Sequence, residues 1–353
     1  MEKAIILTNG LLATEDAKTA HGLIRESNRY TIAGLVDAVH AGRDAGEILD
    51  GRSRNIPVFA TVAEAVAVVQ PVHCIVGVAT SGGIFPGALL DEVKEAIQLG
   101  LSVVNGLHDL LSDNEDIVAL AKLKGVTLTD IRRPKKMKEL HFWSGDILSL
   151  TTPIVAVLGT DCGLGKRTTT RFLMHACNAA GIKAAMIYTG QTGWLQGGKY
   201  GFVLDATPND FVSGELEHAV LSCVKETGAE IIFIEGQAAL RNPSGPCGAE
   251  MLISGCAKSV VLLHAPKREY YDFKPALGKI HSLSSEIELI EKYGSKVIAI
   301  ALNTEHCNLA EAEQFQKKYE TDLGLPVLLP LEKGVTTLVP VLASLVNNSK
   351  ISI

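Results

Sequence analysis

The sequence predicts an α/β fold made of two domains, each built around a parallel sheet. The chain has 353 residues, which is longer than a single hydrophobic core usually spans. Hydrophobic residues make up 47% of it and aromatic residues only 5%, so its buried strands are mainly aliphatic, as in sheets covered on both faces. Short apolar runs alternate with helix-length segments along the whole chain, which is typical of βαβ units.

The first half of the chain follows the order of a Rossmann-like domain. Its predicted elements are strand 4–8, helix 15–26, strand 31–36, helix 62–69, strand 74–78, helix 89–99 and strand 102–104. Only Gly10 follows the first strand, so the glycine pattern of a dinucleotide site is absent, and Asp37 at the end of the second strand is favoured as a structural acid. The glycine-rich loop 77–83 leaves two interpretations equally open, a ligand crevice and an ordinary connection.

The alternation stops in a basic, proline-bearing stretch at residues 132–153, and the second half then resumes it. We expect a boundary there that gives domains 1–145 and 146–353. The second half is predicted to contain strand 154–158, a helix to about residue 180, strand 183–188, helix 210–225, strands 230–234 and 259–264, helix 284–293, strand 297–302 and helix 309–319.

Residues 153–170 read PIVAVLGTDCGLGKRTTT, an apolar strand that runs into a glycine-rich turn, a lysine and a hydroxyl cluster. Such a turn directs backbone N–H groups at one anion, so it predicts a P-loop NTPase-like domain that holds phosphates. Arg167 stands where a magnesium-binding hydroxyl normally follows the lysine, so we expect anion binding and no metal site. The predicted cofactor-binding residues are Gly159, Thr160, Gly163, Gly165, Lys166, Arg167, Thr168, Thr169 and Asn303.

Two acids are predicted to take part in the chemistry near this loop. Glu235 ends the apolar strand Ile-Ile-Phe-Ile-Glu, and in P-loop proteins such an acid reaches a metal or an attacking group beside the phosphates. Asp161 lies within the loop itself, where an acid near a phosphate costs energy unless a cation or a reacting proton accompanies it. We interpret Asp161 and Glu235 as a functional pair.

The loop, the Glu235-Gly pair and the strand that ends at Asn303 resemble the dethiobiotin synthetase and cobyrinic acid amide synthase branch of P-loop proteins. A wider set of segments resembles the DgcN-like family, formerly a domain of unknown function, whose characterised activity is D-glutamate N-acetyl transfer from acetyl-CoA. These segments are Thr192-Gly-Trp-Leu, Asp205, Asp210-Phe-Val-Ser-Gly-Glu215-Leu-Glu217, Glu235-Gly-Gln237 and residues 244–264. The residues that follow Gln237 differ from the sequence that is usual in that family.

The resemblance implies acetyl-CoA as co-substrate and an acidic amino acid, D-glutamate, as acceptor. An amine acceptor must lose a proton, which requires a carboxylate or an imidazole within reach. The candidates for this catalytic role are, in order, Glu235, Asp161, Asp210 and His264. A dicarboxylate acceptor needs cations, and the substrate-binding candidates are Arg241, Lys267 and Arg268.

Two other functions remain open at this point. One is an ATP- and magnesium-dependent kinase or ligase of the dethiobiotin synthetase type, in which Lys166, Thr168 and Glu235 would serve Mg-ATP. The other is a nucleotide-sensing regulator that binds a ligand without catalysis.

The expected partners are a small-molecule substrate and further copies of the chain, in a homo-oligomer. A net charge of −6 and the absence of a basic tract mixed with aromatics argue against nucleic acid. No apolar run reaches the roughly 18 residues of a membrane span. Seven scattered cysteines without a C-x-x-C pair argue against disulfides and structural zinc, so we expect a cytoplasmic protein.

Overall fold

The computed structural model describes residues 1–351, which form two compact units. The first unit contains Met1–Pro134 together with Gln191–Lys199, and the second contains Lys135–Gly190 and the described residues from Tyr200 onward. Each unit is built on one six-stranded sheet in which all the strand pairs are parallel. The predicted α/β class with two parallel sheets is confirmed.

The sheet of the first unit has the strand order β3-β2-β1-β4-β5-β6. Its strands are β1 Glu2–Leu7, β2 Tyr30–Val36, β3 Val58–Phe59, β4 His73–Val76, β5 Ser102–Asn105 and β6 Leu128–Asp130. Its helices in chain order are α1 Lys18–Arg25, α2 Ala45–Asp50, α3 Val62–Val69, α4 Gly87–Gln98 and α5 Glu115–Lys124. Asp37 follows β2 and accepts hydrogen bonds from the Thr8 hydroxyl and the Leu12 N–H, which makes it a structural acid.

The sheet of the second unit has the order β12-β11-β10-β7-β9-β8. Its strands are β7 Ile154–Gly159, β8 Ala184–Ile187, β9 Ile231–Glu235, β10 Ser259–His264, β11 Lys296–Leu302 and β12 Val327–Leu328. The remaining helices are α6 Lys166–Ala179, α7 Gln191–Leu195, α8 Asn209–Thr227, α9 Ala249–Ile253, α10 Leu283–Lys292, α11 Leu309–Leu323 and α12 Val339–Ile351. Of these, α7 belongs to the first unit although its chain neighbours belong to the second.

Strand β7 is the central strand on which the functional site is built. All six of its residues are buried, and successive side chains point into opposite layers of core. Ile154, Ala156 and Leu158 join one hydrophobic cluster, whereas Val155 and Val157 join the other. Because helices cover both faces, the strand is a continuous apolar run instead of an alternating one.

The division between the units falls at Pro134, ahead of the boundary expected between residues 145 and 146. The reason lies in two buried glutamates of α8, which hold the segment 135–149, here called the strap. Glu215 accepts hydrogen bonds from Lys135 and from the His141 N–H, and Glu217 accepts from the N–H of Ser144. The strap therefore packs as part of the second unit.

None of the helices among the described residues is both long enough and apolar enough to cross a membrane.

Candidate functional site

The loop between β7 and α6 forms the floor of the site. Gly163 and Gly165 have φ values of 66° and 89°, a left-handed backbone that favours glycine, and α6 begins at Lys166 directly after them. The Lys166 ammonium group is buried and donates hydrogen bonds of 2.7 Å to the carbonyl oxygens of Asp161 and Ala238. Burial lowers the pKa of Lys166. Lys166 therefore joins its own loop to the segment that follows β9.

Glu235 lies beside this loop because β9 pairs with β7 and places Glu235 opposite Val157. The side chain is only 4% exposed, and this burial raises the pKa of Glu235 to about 7. The positive charges of Arg167 and Lys166 act in the opposite direction. The Thr189 N–H donates a bond of 3.3 Å to the carboxylate. Glu235 is thus a carboxyl group that exchanges a proton near neutral pH.

Asp161 is a fully buried carboxylate that holds three separate segments together. One oxygen accepts from the Asn242 amide at 2.8 Å, and the other accepts from the Arg268 guanidinium and the Asp272 N–H, each at 2.9 Å. Arg268 also binds Glu305 through two hydrogen bonds of 2.6 Å. The cation that the sequence required near Asp161 is therefore Arg268, and this arrangement suits a carboxylate that fixes the loop.

His264 ends β10 next to β7, and its Nδ1 shares a hydrogen bond of 3.0 Å with the Thr160 hydroxyl. Burial lowers the pKa of His264 to about 4. The ring is neutral near pH 7 and would be a weak base there. The N–H of Asn303 donates to the His264 carbonyl oxygen, so this asparagine lies at the same carboxyl edge of the sheet.

The remaining candidates lie in more varied surroundings. Thr169 is buried on the first turn of α6, whereas Asp210 is exposed on the first turn of α8. Arg241 binds Glu286 and Ser285 of α10, and Lys267 binds Glu311 of α11. Each cation expected to bind the acceptor, Arg268 included, is therefore paired with a carboxylate of the protein in this structure. Thr168 and Thr170 flank Thr169, and Thr170 donates back to the Lys166 carbonyl.

The structure also brings in residues that sequence reasoning did not identify. Asn242 donates to both Asp161 and Asp272, and Thr189 joins Glu235 to the Gln237 amide. Asp272 has a φ of 49°, a left-handed backbone that is uncommon outside glycine. The one sequence signal for Thr189 was its place two residues after the end of β8, at the same sheet edge as Glu235.

Among the described residues, one group brings its possible metal-binding atoms within 4.8 Å of one another. It consists of Asp161, Cys162 and Asp272. Both oxygens of Asp161 are already used by Asn242 and Arg268, and burial raises the pKa of the Cys162 thiol. A protonated thiol beside an arginine is a poor cation site. This trio is better described as part of the hydrogen-bonded support of the loop.

These features define a class of protein in which a Rossmann-like domain is followed by a P-loop domain, with a buried glutamate beside the phosphate loop. Comparison with known families agrees with that class. The chain belongs to the DUF1611 family: the model of its C-terminal domain, described as a P-loop domain of unknown function, matches residues 141–339. The model of its N-terminal domain, described as Rossmann-like, matches residues 38–134.

Two curated relatives carry the name D-glutamate N-acetyltransferase. The protein from Tritonibacter scottomollicae is 30% identical over 76% of this chain and 80% of its own length. The protein from a Pseudoalteromonas species is 29% identical over 75% of this chain and 79% of its own length. A crystal structure of a DUF1611 family protein from Anabaena variabilis is 28% identical, with a TM-score of 0.88 over 99% of this chain and 100% of that one.

Proposed function

We propose that this protein is an N-acetyltransferase that moves an acetyl group from acetyl-CoA to the amine of D-glutamate. The observation that carries the proposal is Glu235, a carboxyl group buried beside the phosphate loop with its pKa raised to about 7. The names of the two curated relatives support the reaction class and the acceptor.

The phosphate loop suits the nucleotide end of acetyl-CoA. Coenzyme A carries a pyrophosphate, and the loop offers the N–H groups of a left-handed glycine turn at the start of α6 together with the Lys166 ammonium. Arg167 occupies the position at which a P-loop usually has the Ser or Thr hydroxyl that binds magnesium. The loop is therefore better suited to binding phosphates than to hydrolysing them.

Glu235 would act as the general base. The acceptor arrives as an ammonium ion, and transfer of its proton to Glu235 frees the nitrogen lone pair to attack the thioester carbonyl carbon. The new C–N bond forms, the C–S bond breaks, and the coenzyme A thiolate leaves with the electron pair and takes up the second proton that the nitrogen loses as the amide forms, while Glu235 returns its proton to solvent.

The structure favours Glu235 over the other three candidate bases. Asp161 has both oxygens occupied by Asn242, Arg268 and the Asp272 N–H. His264 has its pKa lowered to about 4, and Asp210 is exposed to solvent. Among the four candidates, Glu235 alone combines burial with a pKa of about 7. At neutral pH part of it is therefore ionised and able to accept a proton from the acceptor amine.

The test is an assay with purified protein, acetyl-CoA and D-glutamate that follows free thiol release and identifies N-acetylglutamate by mass spectrometry. Parallel reactions contain L-glutamate, D-aspartate, or Mg-ATP in place of acetyl-CoA. We expect acetyl transfer with D-glutamate. Nucleotide hydrolysis or phosphoryl transfer without acetyl transfer would show that the protein is instead an ATP-dependent enzyme.

The matched variants are Glu235→Gln and Glu230→Gln. Glu230 lies next to β9 at the opposite end from Glu235 and is paired with Lys350, so the same chemical change occurs away from the site. Glu235→Gln should lower kcat by about a hundredfold or more while leaving acetyl-CoA binding intact. Glu230→Gln should behave as wild type. Near-normal turnover of Glu235→Gln would remove Glu235 as the base.

A further inference from the structure

The side-chain amide of Gln237 has one fixed orientation just beyond the carboxyl end of β9. The Thr189 hydroxyl donates its single proton to the main-chain carbonyl oxygen of Glu235 at 2.7 Å, because a carbonyl oxygen can only accept. The same hydroxyl therefore accepts from Gln237, whose Nε2 lies 2.9 Å away. The nitrogen end of the Gln237 amide faces Thr189 as a result, and its carbonyl oxygen points elsewhere.

The carbonyl oxygen of Gln237 is available to a bound molecule. Thr189 and Glu235 are 1% and 4% exposed, whereas Gln237 is partly exposed. No described residue hydrogen-bonds to this carbonyl oxygen. The amide also lies near the Glu235 carboxyl group, since a Cβ on Gly190 would be 2.9 Å from Gln237 Nε2 and 3.7 Å from Glu235 Oε1. The two polar groups therefore border one small space that glycine at position 190 leaves open.

The backbone between Glu235 and Gln237 fixes the spacing of the two side chains. The Gly236 N–H donates to the Val157 carbonyl oxygen at 3.1 Å, and a Cβ on Gly236 would lie 2.2 Å from that oxygen. Only glycine fits so close to the neighbouring strand β7. The segment Glu235-Gly-Gln237 therefore holds a carboxyl group and a neutral oxygen acceptor in a constant arrangement.

We propose that the carbonyl oxygen of Gln237 binds the ammonium group of the acceptor amino acid, beside Glu235. This assignment rests on the acetyl transfer proposed above. An ammonium group has three N–H donors and no acceptor, so two oxygens that accept are complementary to it. One N–H supplies the proton that Glu235 takes, and a second is held by Gln237, which directs the freed lone pair away from both residues. Gln237 neither gains nor loses a proton, so its role is to bind and orient the substrate.

This pair of residues favours an ammonium group over the other polar groups of small molecules. A carboxylate or a phosphate has no proton for Gln237 and is repelled by ionised Glu235. A hydroxyl group has one proton, so it satisfies one of the two acceptors and leaves the other unpaired, which costs affinity. The site is therefore suited to amino acids over hydroxy acids of the same shape.

The experiment is calorimetric titration of D-glutamate and of glutarate into protein saturated with coenzyme A. Glutarate has the same two carboxylates but no ammonium group. Gln237→Met should weaken D-glutamate binding about 10- to 100-fold, the scale of one hydrogen bond to a charged group, and should change glutarate binding less than about threefold. Thr189→Val removes the hydroxyl that orients the amide and should act in the same direction. The matched control is Gln316→Met on α11, where the amide donates to the Val327 carbonyl oxygen, and this variant should bind both ligands as wild type does.

The two ligands separate ammonium binding from a merely structural role, and circular dichroism verifies that each variant is folded. Equal weakening of D-glutamate and glutarate by Gln237→Met would overturn the proposal, and so would an unchanged affinity for D-glutamate. The acetyl-transfer assay on the same proteins tests the proposed function separately. Gln237-dependent binding of D-glutamate without acetyl transfer would overturn that function and keep the ammonium site, whereas transfer with an unchanged kcat/KM for D-glutamate in Gln237→Met would overturn the ammonium site alone.

Discussion

Glu235→Gln should change how the stability of the protein depends on pH, whatever reaction the protein catalyses. The folded-state pKa of Glu235 is raised to about 7 by burial, from an ordinary value of 4.5. A group with a raised folded pKa contributes stability that is fully present below the unfolded pKa and is lost as the pH rises through the folded pKa. The wild type should therefore lose stability between about pH 4.5 and pH 7 because of this residue.

The size of the effect follows from the two pKa values. A difference of about 2.5 pKa units corresponds to roughly 3 kcal/mol at 1.36 kcal/mol per unit. Glutamine keeps the shape of the side chain and has no proton to lose, so the variant lacks this pH-dependent loss. Relative to wild type, the unfolding free energy of Glu235→Gln should rise by roughly 2–3 kcal/mol between pH 4.5 and pH 7.5.

The measurement is urea unfolding of both proteins at half-unit pH steps, followed by circular dichroism. Glu230→Gln serves as the control, since Glu230 precedes β9 at the end away from Glu235 and is only partly buried. Parallel stability curves for wild type and Glu235→Gln across the whole range would refute the argument, because they would mean that Glu235 is ionised in the folded protein at low pH.

The remaining predictions concern the phosphate loop and its support. Lys166→Ala should weaken acetyl-CoA binding by about 1.5–3 kcal/mol in calorimetric titration, the scale of a charge-assisted hydrogen bond, and equal affinity of both proteins would contradict the assigned role. Excess chelator should leave acetyl transfer unchanged, whereas loss of turnover that magnesium restores would favour the ATP-dependent alternative. Arg268→Met should cost about 3–5 kcal/mol in chemical unfolding, because it strands the buried Asp161 carboxylate. Lys267→Met should cost under about 1 kcal/mol, since its ion pair with Glu311 is partly exposed, and similar losses in both variants would show that burial does not decide the cost.

The sequence predicted the placement of the phosphate loop and Glu235 because both follow from the geometry of parallel strands. An apolar strand that ends in glycines and another that ends in an acid put Lys166 and Glu235 at one sheet edge, whatever lies between them. The short elements β3, β12 and α7 were not predicted, because runs of two to five residues carry too little periodicity.

The support of the loop could not be predicted for a different reason. The bond between Arg268 and Asp161 joins residues 107 positions apart, and Asn242 reaches Asp161 across 81 positions. Neither residue has a local pattern that separates it from a surface side chain. The sequence could state that Asp161 needs a cation, but tertiary packing alone decides which arginine supplies it.

The placement of Gln191–Lys199 has a consequence for any attempt to divide the protein. The chain passes between the two units three times, after Pro134, after Gly190 and after Lys199. Within the first unit, the Gln196 amide donates to the carbonyl oxygens of Gly22 and Glu26. A fragment that stops at residue 134 would lack the Gln196 side chain that donates to these carbonyls at the end of α1. The halves are therefore not interchangeable, because recombination at a single junction would separate the first unit from its segment Gln191–Lys199.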